Sequence, residues 1–161
     1  MLSLKAVIAT QKLFVYDHDK LIREYPISTG KNGAGEVFGS EQTPRGLHVI
    51  RAKIGSDCLP NTVFVSRRPT GEIFSPEMRQ NFPTRDWILT RIFWLSGLEI
   101  GKNRLGLVDT MRRYVYIHGT PDDVPMGIPG SKGCIRMRNQ DIIELFDLIP
   151  VTTKMLIVET D

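Results

Sequence analysis

The residues best suited to chemistry in this sequence are a histidine and a cysteine on either side of a Pro- and Gly-rich loop. His118 and Cys134 are sixteen positions apart, and each has a glycine as a neighbour, Gly119 and Gly133. A thiol reacts as the thiolate, so near neutral pH it needs a base or a positive field beside it. An imidazole can take the thiol proton and later return it to a leaving amine. The pair therefore predicts a cysteine nucleophile with a histidine base, provided that the two ends of the loop meet.

Two backbone features would complete such a site. The consecutive N–H groups of Gly133 and Cys134 can form an oxyanion hole, and Gly133 lets the chain approach a substrate carbonyl closely. A backbone carbonyl beside His118 can fix the tautomer of the ring without an acidic partner. The spacing alone also fits a purely structural interpretation, because free cysteines and strand histidines are often ordinary core residues.

The rest of the chain predicts the strands that must bring this pair together. Fourteen Gly and ten Pro are scattered without a repeat, which indicates many tight turns and a mostly β fold. His118 falls at the end of a predicted strand, 114–118, and Cys134 lies within a strand or tight turn at 131–137. The other predicted strands are 4–16 and 20–28, which form an opening hairpin, then 47–53, 63–66, 105–110 and 154–159; a helix at 140–148 follows the cysteine, with Asn139 as its cap.

The segment 75–103 has a different character and two interpretations. Asp86 precedes an apolar run at 87–95 whose spacing partly fits a helix, with the aspartate as its cap. Such a helix can be an ordinary core helix or part of a lid over a substrate groove. We prefer the core helix, but Trp87 and Trp94 keep the lid open as an alternative, because an indole ring can cover a ligand and still offer its N–H group.

The composition bounds the class of protein. A chain of 161 residues is long enough for one core, so we expect a single domain over 1–161. A net charge of +3 without a dense basic stripe argues against a nucleic-acid-binding protein. No run is long and apolar enough to cross a membrane, and the first residues lack the apolar core of a secretory signal. We therefore expect a cytoplasmic protein, or a periplasmic or envelope protein whose export segment was removed.

The histidines and cysteines do not predict a metal site. No CxxC or HxxxH pair anchors zinc among the candidate ligands His48, Cys58, His118 and Cys134. We interpret His48 as a packed residue and Cys58 as a structural one, while His18 lies in a polar turn. A disulfide would silence the reactive thiol, so both cysteines are expected to be free. The sequence thus predicts an enzyme that uses no metal and no cofactor.

The whole string around the pair is similar to a known signature. Ile-His-Gly-Thr, a gap, and then Ser-Lys-Gly-Cys-Ile-Arg-Met closely resemble the motif of the L,D-transpeptidase catalytic domain, the YkuD-type family. The Ser-Thr-Gly at 28–30 and the Thr-Pro-x-Gly turn at 43–46 resemble further landmarks of the family, in the same order. Many members have His where Lys132 stands and Asn where Arg136 stands, although a branch with Ser-Lys-Gly-Cys-Ile-Arg is also familiar. These departures leave the subclass open.

The resemblance implies a role for each residue of the site. It makes Cys134 the nucleophile and His118 the general base, with Gly133 beside them, in a β-sandwich with a short helical lid segment. Arg136 would hold a substrate carboxylate through its bidentate guanidinium. Lys132 is close enough in sequence to lower the thiol pKa, but a solvated lysine would do little. The other expected substrate-binding residues are Ser131, Gly119 and Trp94.

The resemblance also implies the substrate and the partners. Family members attack the bond between the L-centre of a diamino acid, usually meso-diaminopimelate, and the terminal D-Ala of a peptidoglycan tetrapeptide stem. Water or an amine then resolves the thioester, and the lack of a signal favours water, hence an L,D-carboxypeptidase that trims recycled muropeptides. Carbapenems are expected inhibitors. The alternatives are a transpeptidase that cross-links stems or attaches proteins to the wall, a non-catalytic wall-binding module and an unrelated cysteine hydrolase; the third stem residue and the oligomeric state stay open.

Overall fold

The computed structural model describes residues 1–161 and shows a mostly β protein, as the sequence predicts. Neither of its two α-helices has the length and apolar character needed to cross a membrane. The strands are β1 (Leu2–Val7), β2 (Lys12–Asp17), β3 (Lys20–Pro26), β4 (Gly46–Ile54), β5 (Thr62–Val65), β6 (Arg68–Ile73), β7 (Ile88–Gly97), β8 (Tyr116–Thr120), β9 (Ile135–Arg138) and β10 (Lys154–Val158), and the helices are α1 (Pro76–Asn81) and α2 (Asn139–Leu148).

All ten strands belong to one sheet. The order from one edge is β3-β2-β1-β10-β4-β7-β5-β6, while β8 pairs with β7 and β9 pairs with β8. β7 is the central strand, because it pairs with β4, β5 and β8. Ser28, which follows edge strand β3, pairs with Arg136 of β9. The sheet therefore curls until its β3 edge meets β9, the end of the β8–β9 branch, which produces the sandwich-like packing that we expected.

One apolar core fills the curled sheet. Its side chains come from every strand except β5 and β6 and from α2, so the strands pack face to face across it. Ile117 of β8 and Ile135 of β9 are fully buried in this core. Because side chains alternate along a strand, the neighbours of these two isoleucines point to the opposite face. Those neighbours are Tyr116, His118, Cys134 and Arg136.

The central strand β7 shows that one helix prediction was wrong. We expected a helix at 87–95 capped by Asp86, but the chain from Ile88 to Gly97 is a strand. Most of its residues are buried, and a strand that is covered on both faces has a nearly continuous apolar sequence that periodicity does not separate from a buried helix. Any lid within 75–103 is therefore confined to the part before β7, where α1 provides a short helical segment.

Two strand predictions also differ from the structure. The predicted strand 4–16 is two strands, because the chain reverses between β1 and β2 and Gln11 has a φ of 53°. The predicted strand 105–110 is instead a 3-10 turn at Gly106–Val108, preceded by Leu105 with a φ of 70°. A positive φ interrupts the extended backbone at both places. The remaining predicted strands outside the loop of the histidine and cysteine are confirmed to within about two residues.

Asn139 does not cap α2, contrary to our expectation. The N-cap of this helix is Arg138, and no side-chain hydrogen bond caps it. The Asn139 amide is buried, and a buried amide needs hydrogen-bond partners. It finds them outside the first turn of the helix, in the side chains of Asn61, Thr90 and Asp122.

Candidate active site

The pairing of β8 with β9 brings the predicted histidine and cysteine to one place. The two strands are parallel, with His118 opposite Arg136 and Ile117 opposite Ile135. Cys134 directly precedes β9, and the alternation of side chains puts it on the same face as His118. We expected His118 at the end of its strand, but it lies in the middle of β8. The two ends of the loop thus meet, which is the condition that the sequence analysis set.

The Cys134 thiol is half-buried and held by backbone groups. The Tyr116 N–H donates to Sγ at 3.3 Å, and the thiol can donate to the Tyr114 carbonyl oxygen at 3.6 Å. Burial raises the pKa of the Cys134 thiol to about 12, although the bond from the Tyr116 N–H acts in the opposite direction. The thiol is therefore protonated at neutral pH and needs a base before it can react.

His118 is buried and placed to be that base. Its Nδ1 lies 2.7 Å from the Gly119 carbonyl oxygen, so a proton on Nδ1 would be donated there and Nε2 would keep a free lone pair. Burial lowers the pKa of His118, which keeps the ring neutral near pH 7 and able to accept a proton. No hydrogen bond joins Nε2 to the Cys134 thiol, whose proton faces Tyr114, so the thiol must rotate before the proton is transferred.

The Ser-Thr-Gly and Thr-Pro-x-Gly segments hold the cysteine turn in place. Ser28 exchanges two backbone hydrogen bonds with Arg136, at 3.0 and 2.8 Å. The Thr43 hydroxyl donates to the Gly133 carbonyl oxygen at 2.9 Å and accepts from the Gly30 N–H at 2.8 Å. Both sequence landmarks therefore have a structural purpose, which is to fix the backbone that carries the cysteine.

Gly133 has a conformation and a packing that disfavour any other residue. Its φ is +120°, and a Cβ at this position would lie 3.1 Å from the Gln42 carbonyl oxygen. Its N–H donates to Ser131 Oγ at 3.1 Å, and the Ser131 hydroxyl donates to the Cys134 carbonyl oxygen at 2.5 Å. Ser131 thus braces the turn from inside. An oxyanion hole made by Gly133 and Cys134 stays a prediction, and it requires Ser131 to release the Gly133 N–H.

Arg136 is paired with Asp86, the aspartate that the sequence analysis took for a helix cap. Its Nη2 donates to Asp86 Oδ1 at 3.1 Å, and its Nη1 donates to the Gly130 carbonyl oxygen at 3.0 Å. The Nε atom is buried and has no partner. The Asp86 carboxylate acts to raise the pKa of both His118 and Cys134. The site therefore contains an acidic group that we did not predict from the sequence.

A second arginine, Arg113, also acts on the thiol. It donates to the Gln42 carbonyl oxygen at 2.6 Å, and its charge acts to lower the pKa of Cys134, as does that of Arg136. Lys132 has an exposed side chain, and a solvated lysine is expected to have little effect on the thiol. The cationic influence on the thiol is therefore assigned to the two arginines, and a substrate contact by Lys132 stays a prediction.

Trp94 lies near the thiol but belongs to the sheet rather than to a lid. It is on β7, in a small apolar cluster that also includes Tyr116 and Cys134. Its Nε1 donates to the Met111 carbonyl oxygen at 3.1 Å, and the Arg67 guanidinium lies 4.5 Å from the centre of its ring. The indole thus forms part of the wall beside the thiol, and its N–H group is already engaged.

A polar network centred on the buried Asn139 packs against the residue that follows the histidine. The Asn139 amide nitrogen donates to Asn61 Oδ1 at 3.0 Å and to Asp122 Oδ1 at 3.1 Å, and its oxygen accepts from the Thr90 hydroxyl at 2.5 Å. Gly119 packs directly against this network, because a Cβ there would lie 2.4 Å from Asn139 Oδ1. Since the Gly119 carbonyl holds the His118 ring, the network supports the candidate base. Gly119 is therefore a packing residue as well as a neighbour of the site.

The fold and the arrangement of this site define the class of protein. The family model described as the L,D-transpeptidase catalytic domain, YkuD, matches residues 3–157. The chain therefore belongs to the L,D-transpeptidase catalytic domain family, which confirms the resemblance seen in the sequence.

Curated relatives in bacteria carry the same family name. ErfK/SrfK of Escherichia coli, named an L,D-transpeptidase, is 47% identical over 156 residues, which cover 94% of this chain and 42% of that protein. YkuD of Bacillus licheniformis, also named an L,D-transpeptidase, is 30% identical over 146 residues, which cover 90% of this chain and 58% of that protein. The chain thus spans about half the length of the curated relatives that it matches.

Solved structures share the fold. Bd1075 of Bdellovibrio bacteriovorus superimposes with a TM-score of 0.61 at 19% identity, over 99% of this chain and 48% of that one. The L,D-transpeptidase LdtMt1, solved in complex with imipenem, has a TM-score of 0.59 at 21% identity, over 98% of this chain and 58% of that one. At these identities the comparison shows the fold alone.

Proposed function

We propose that this chain is a cysteine acyl-transfer enzyme that acts on peptidoglycan tetrapeptide stems and cleaves the bond between diaminopimelate and D-Ala. The observation that carries the proposal is the placement of the buried His118 ring on the same face of the paired strands β8 and β9 as the Cys134 thiol, with Nδ1 held 2.7 Å from the Gly119 carbonyl oxygen. Membership of the family supports the substrate class.

The geometry supports the following proton path. His118 Nε2 takes the proton of Cys134, and Sγ attacks the carbonyl carbon of the diaminopimelate L-centre. Backbone N–H groups of the cysteine turn stabilise the oxyanion. The imidazolium then protonates the leaving D-Ala amine, the carbon–nitrogen bond breaks, and a thioester remains. An acceptor whose proton goes to His118 attacks the thioester, and the thiol takes that proton back when it leaves.

Two acceptors are compatible with this thioester. With water the product is a tripeptide, and the reaction is that of an L,D-carboxypeptidase acting on muropeptides. We propose this reaction together with a cytoplasmic location. With an amine of another stem the product is a cross-link. The names of the curated relatives favour this second candidate.

Release of D-Ala from a purified disaccharide-tetrapeptide tests the proposal. We expect turnover by the unmodified protein and a loss of about a thousandfold or more in Cys134→Ala, because the nucleophile is removed. Cys58→Ala is the matched control, and it should keep most of the activity. Full activity in Cys134→Ala would refute the thiol mechanism, and binding without release would indicate a wall-binding module. Adding an amine acceptor and weighing the products separates cross-linking from hydrolysis.

A carbapenem provides an independent test of the thiol. The complex of LdtMt1 with imipenem supports the expectation that this class of compound can enter the site. We expect intact mass spectrometry to show one adduct on the unmodified protein and on Cys58→Ala. No adduct should form on Cys134→Ala. A protein that never gains this mass would contradict a reactive Cys134.

A further inference from the structure

An ion pair beside the candidate base presents two opposite charges to a small pocket. Arg136 Nη2 lies 3.1 Å from Asp86 Oδ1, and 17% and 33% of the two side chains are exposed. Arg136 is directly opposite His118 in the pairing of β8 with β9. The pair therefore adjoins the reacting groups, and both of its members can be reached from outside.

The pocket beside this pair has a volume of about 200 Å³, which suits a single charged head group rather than a whole peptide. Arg136 and Asp86 both line it, together with Arg79 and Arg85. The last two are paired with carboxylates that do not line the pocket. Arg136 and Asp86 are thus the one ion pair whose two members both line the pocket.

Arg136 has hydrogen-bonding capacity that Asp86 does not use. Its Nη2 bonds one oxygen of Asp86, its Nη1 bonds the Gly130 carbonyl, and its Nε is buried without a partner. Nε and Nη2 form one edge of the guanidinium, and a carboxylate can bind such an edge with both of its oxygens. An unpaired buried donor costs free energy, so a ligand carboxylate that the guanidinium turns to meet would satisfy this edge better than Asp86 does.

We propose that Asp86 and Arg136 together recognise a zwitterionic head group, an ammonium and a carboxylate on one carbon, at the far end of the residue whose carbonyl Cys134 attacks. The inference rests on the proposed function, which supplies that carbonyl. The carboxylate takes the Nε–Nη2 edge of Arg136, and the ammonium donates to Asp86. Asp86 is then a residue that determines specificity for the third position of the stem, in favour of a diamino acid with a free second amino acid group.

Binding of the zwitterionic head group in place of the Asp86–Arg136 ion pair keeps every charge paired. One ion pair within the protein is replaced by two ion pairs between the protein and the substrate, so no charge is left alone in the pocket. A stem with lysine brings an ammonium but no carboxylate, and leaves Arg136 without an anion. A stem with 2-aminopimelate brings a carboxylate but no ammonium, and leaves two carboxylates beside Arg136. Discrimination is strong where the wrong ligand leaves a polar group unpaired.

Binding to Cys134→Ala, measured by calorimetry, tests this recognition without turnover. The probes are three tetrapeptides that differ only at the third residue: meso-diaminopimelate, L-lysine or L-2-aminopimelate. We expect the first to bind roughly tenfold to a hundredfold more tightly than the other two. When Asp86→Asn is added to Cys134→Ala, the diaminopimelate peptide should lose most of its advantage over the 2-aminopimelate peptide, because its ammonium loses its acceptor. The 2-aminopimelate peptide itself should bind at least as tightly as before.

Two further variants separate recognition from loosening of the α1 segment. Met78→Ala removes the packing of α1 against the small cluster that contains Trp87 and changes no residue that lines the pocket, so it should keep the full selectivity. Asp86→Glu keeps the negative charge and should keep part of the selectivity for the diaminopimelate peptide. Equal binding of the three peptides, or an equal loss for all three in Asp86→Asn, would overturn the inference. Failure of the proposed function is a separate result, since it is the absence of D-Ala release by the unmodified protein.

Discussion

At the scale of single residues, the site combines a thiol that keeps its proton with an imidazole that can take it. Burial raises the pKa of Cys134 to about 12 and lowers that of His118. Both effects disfavour charged forms, so the resting pair is neutral. The proposed reaction therefore depends on a proton transfer that accompanies attack, and a preformed thiolate is not required.

The raised pKa of Cys134 predicts how the rate of thiol alkylation depends on pH. In a Cys58→Ala background, the rate of Cys134 modification by iodoacetamide should keep rising above pH 9, since only the thiolate reacts and the pKa is raised. Arg113→Gln removes a cation near the thiol, so at a fixed pH the rate should fall roughly twofold to fivefold, as for one partly exposed charge pair. Arg112→Gln, at the exposed neighbouring position, is the control. A rate that levels off near pH 7 would mean that a thiolate–imidazolium pair already exists.

At the scale of secondary-structure elements, β8 and β9 place the two reacting residues, and the Asn139 network supports β8. The network joins the first turn of α2 to β7 and to two loops. It can approach β8 closely because position 119 has no side chain. The histidine therefore depends on a packing contact one residue further along its own strand.

Gly119→Ala should disturb this contact and weaken the fold. The new Cβ would lie 2.4 Å from Asn139 Oδ1 and 2.6 Å from the Leu89 carbonyl oxygen, and the latter is backbone that cannot rotate away. We expect a loss of about 1–3 kcal/mol in the free energy of unfolding, measured in urea, together with lower activity. Gly130→Ala, where the nearest atom is Ser28 Oγ at 3.4 Å, should change stability by less than about 0.5 kcal/mol. Equal stability of the two variants would show that β8 can move away from the network.

At the scale of the whole molecule, closure of the sheet buries polar groups that the unfolded chain exposes to water. His48 of β4 is fully buried, with Nδ1 2.9 Å from the Gly46 carbonyl oxygen and Nε2 2.9 Å from Thr110 Oγ1. This confirms our interpretation of His48 as a packed residue. Burial lowers its pKa to about 4, and burial also lowers that of His118.

Acid should therefore destabilise the fold through these two histidines. Between about pH 6.5 and pH 4 the unfolded chain binds protons that the folded protein does not, so stability is complete above pH 6.5 and is lost as the pH falls. The contribution of His48 is on the order of 3 kcal/mol over this range. Urea unfolding at a series of pH values should show this loss, with a smaller slope in His48→Gln. His18→Gln, at an exposed position, should behave as the unmodified protein does; an unchanged slope in His48→Gln would contradict the assignment.

Parts of the fold and of the site could be predicted from local features. Gly and Pro punctuate the chain at its turns, so most strands were located, and a glycine beside the cysteine pointed to an unusual backbone. β7 was missed because a strand buried on both faces lacks the alternation that identifies a strand. Asn139 was wrongly predicted as a helix cap, because an asparagine just before a helix has the local features of a cap whether or not it serves as one.

The sequence by itself determined the candidate nucleophile, the candidate base and the mostly β class, because these depend on residue type and short-range pattern. Only the tertiary structure decided which charges surround the thiol. Asp86 and Arg113 come from segments outside the signature, and no local feature distinguishes Arg113 from its exposed neighbour Arg112. The physical reason is that electrostatic effects depend on distance and burial in space. The chain acquires both only when its sheet curls and the ends meet.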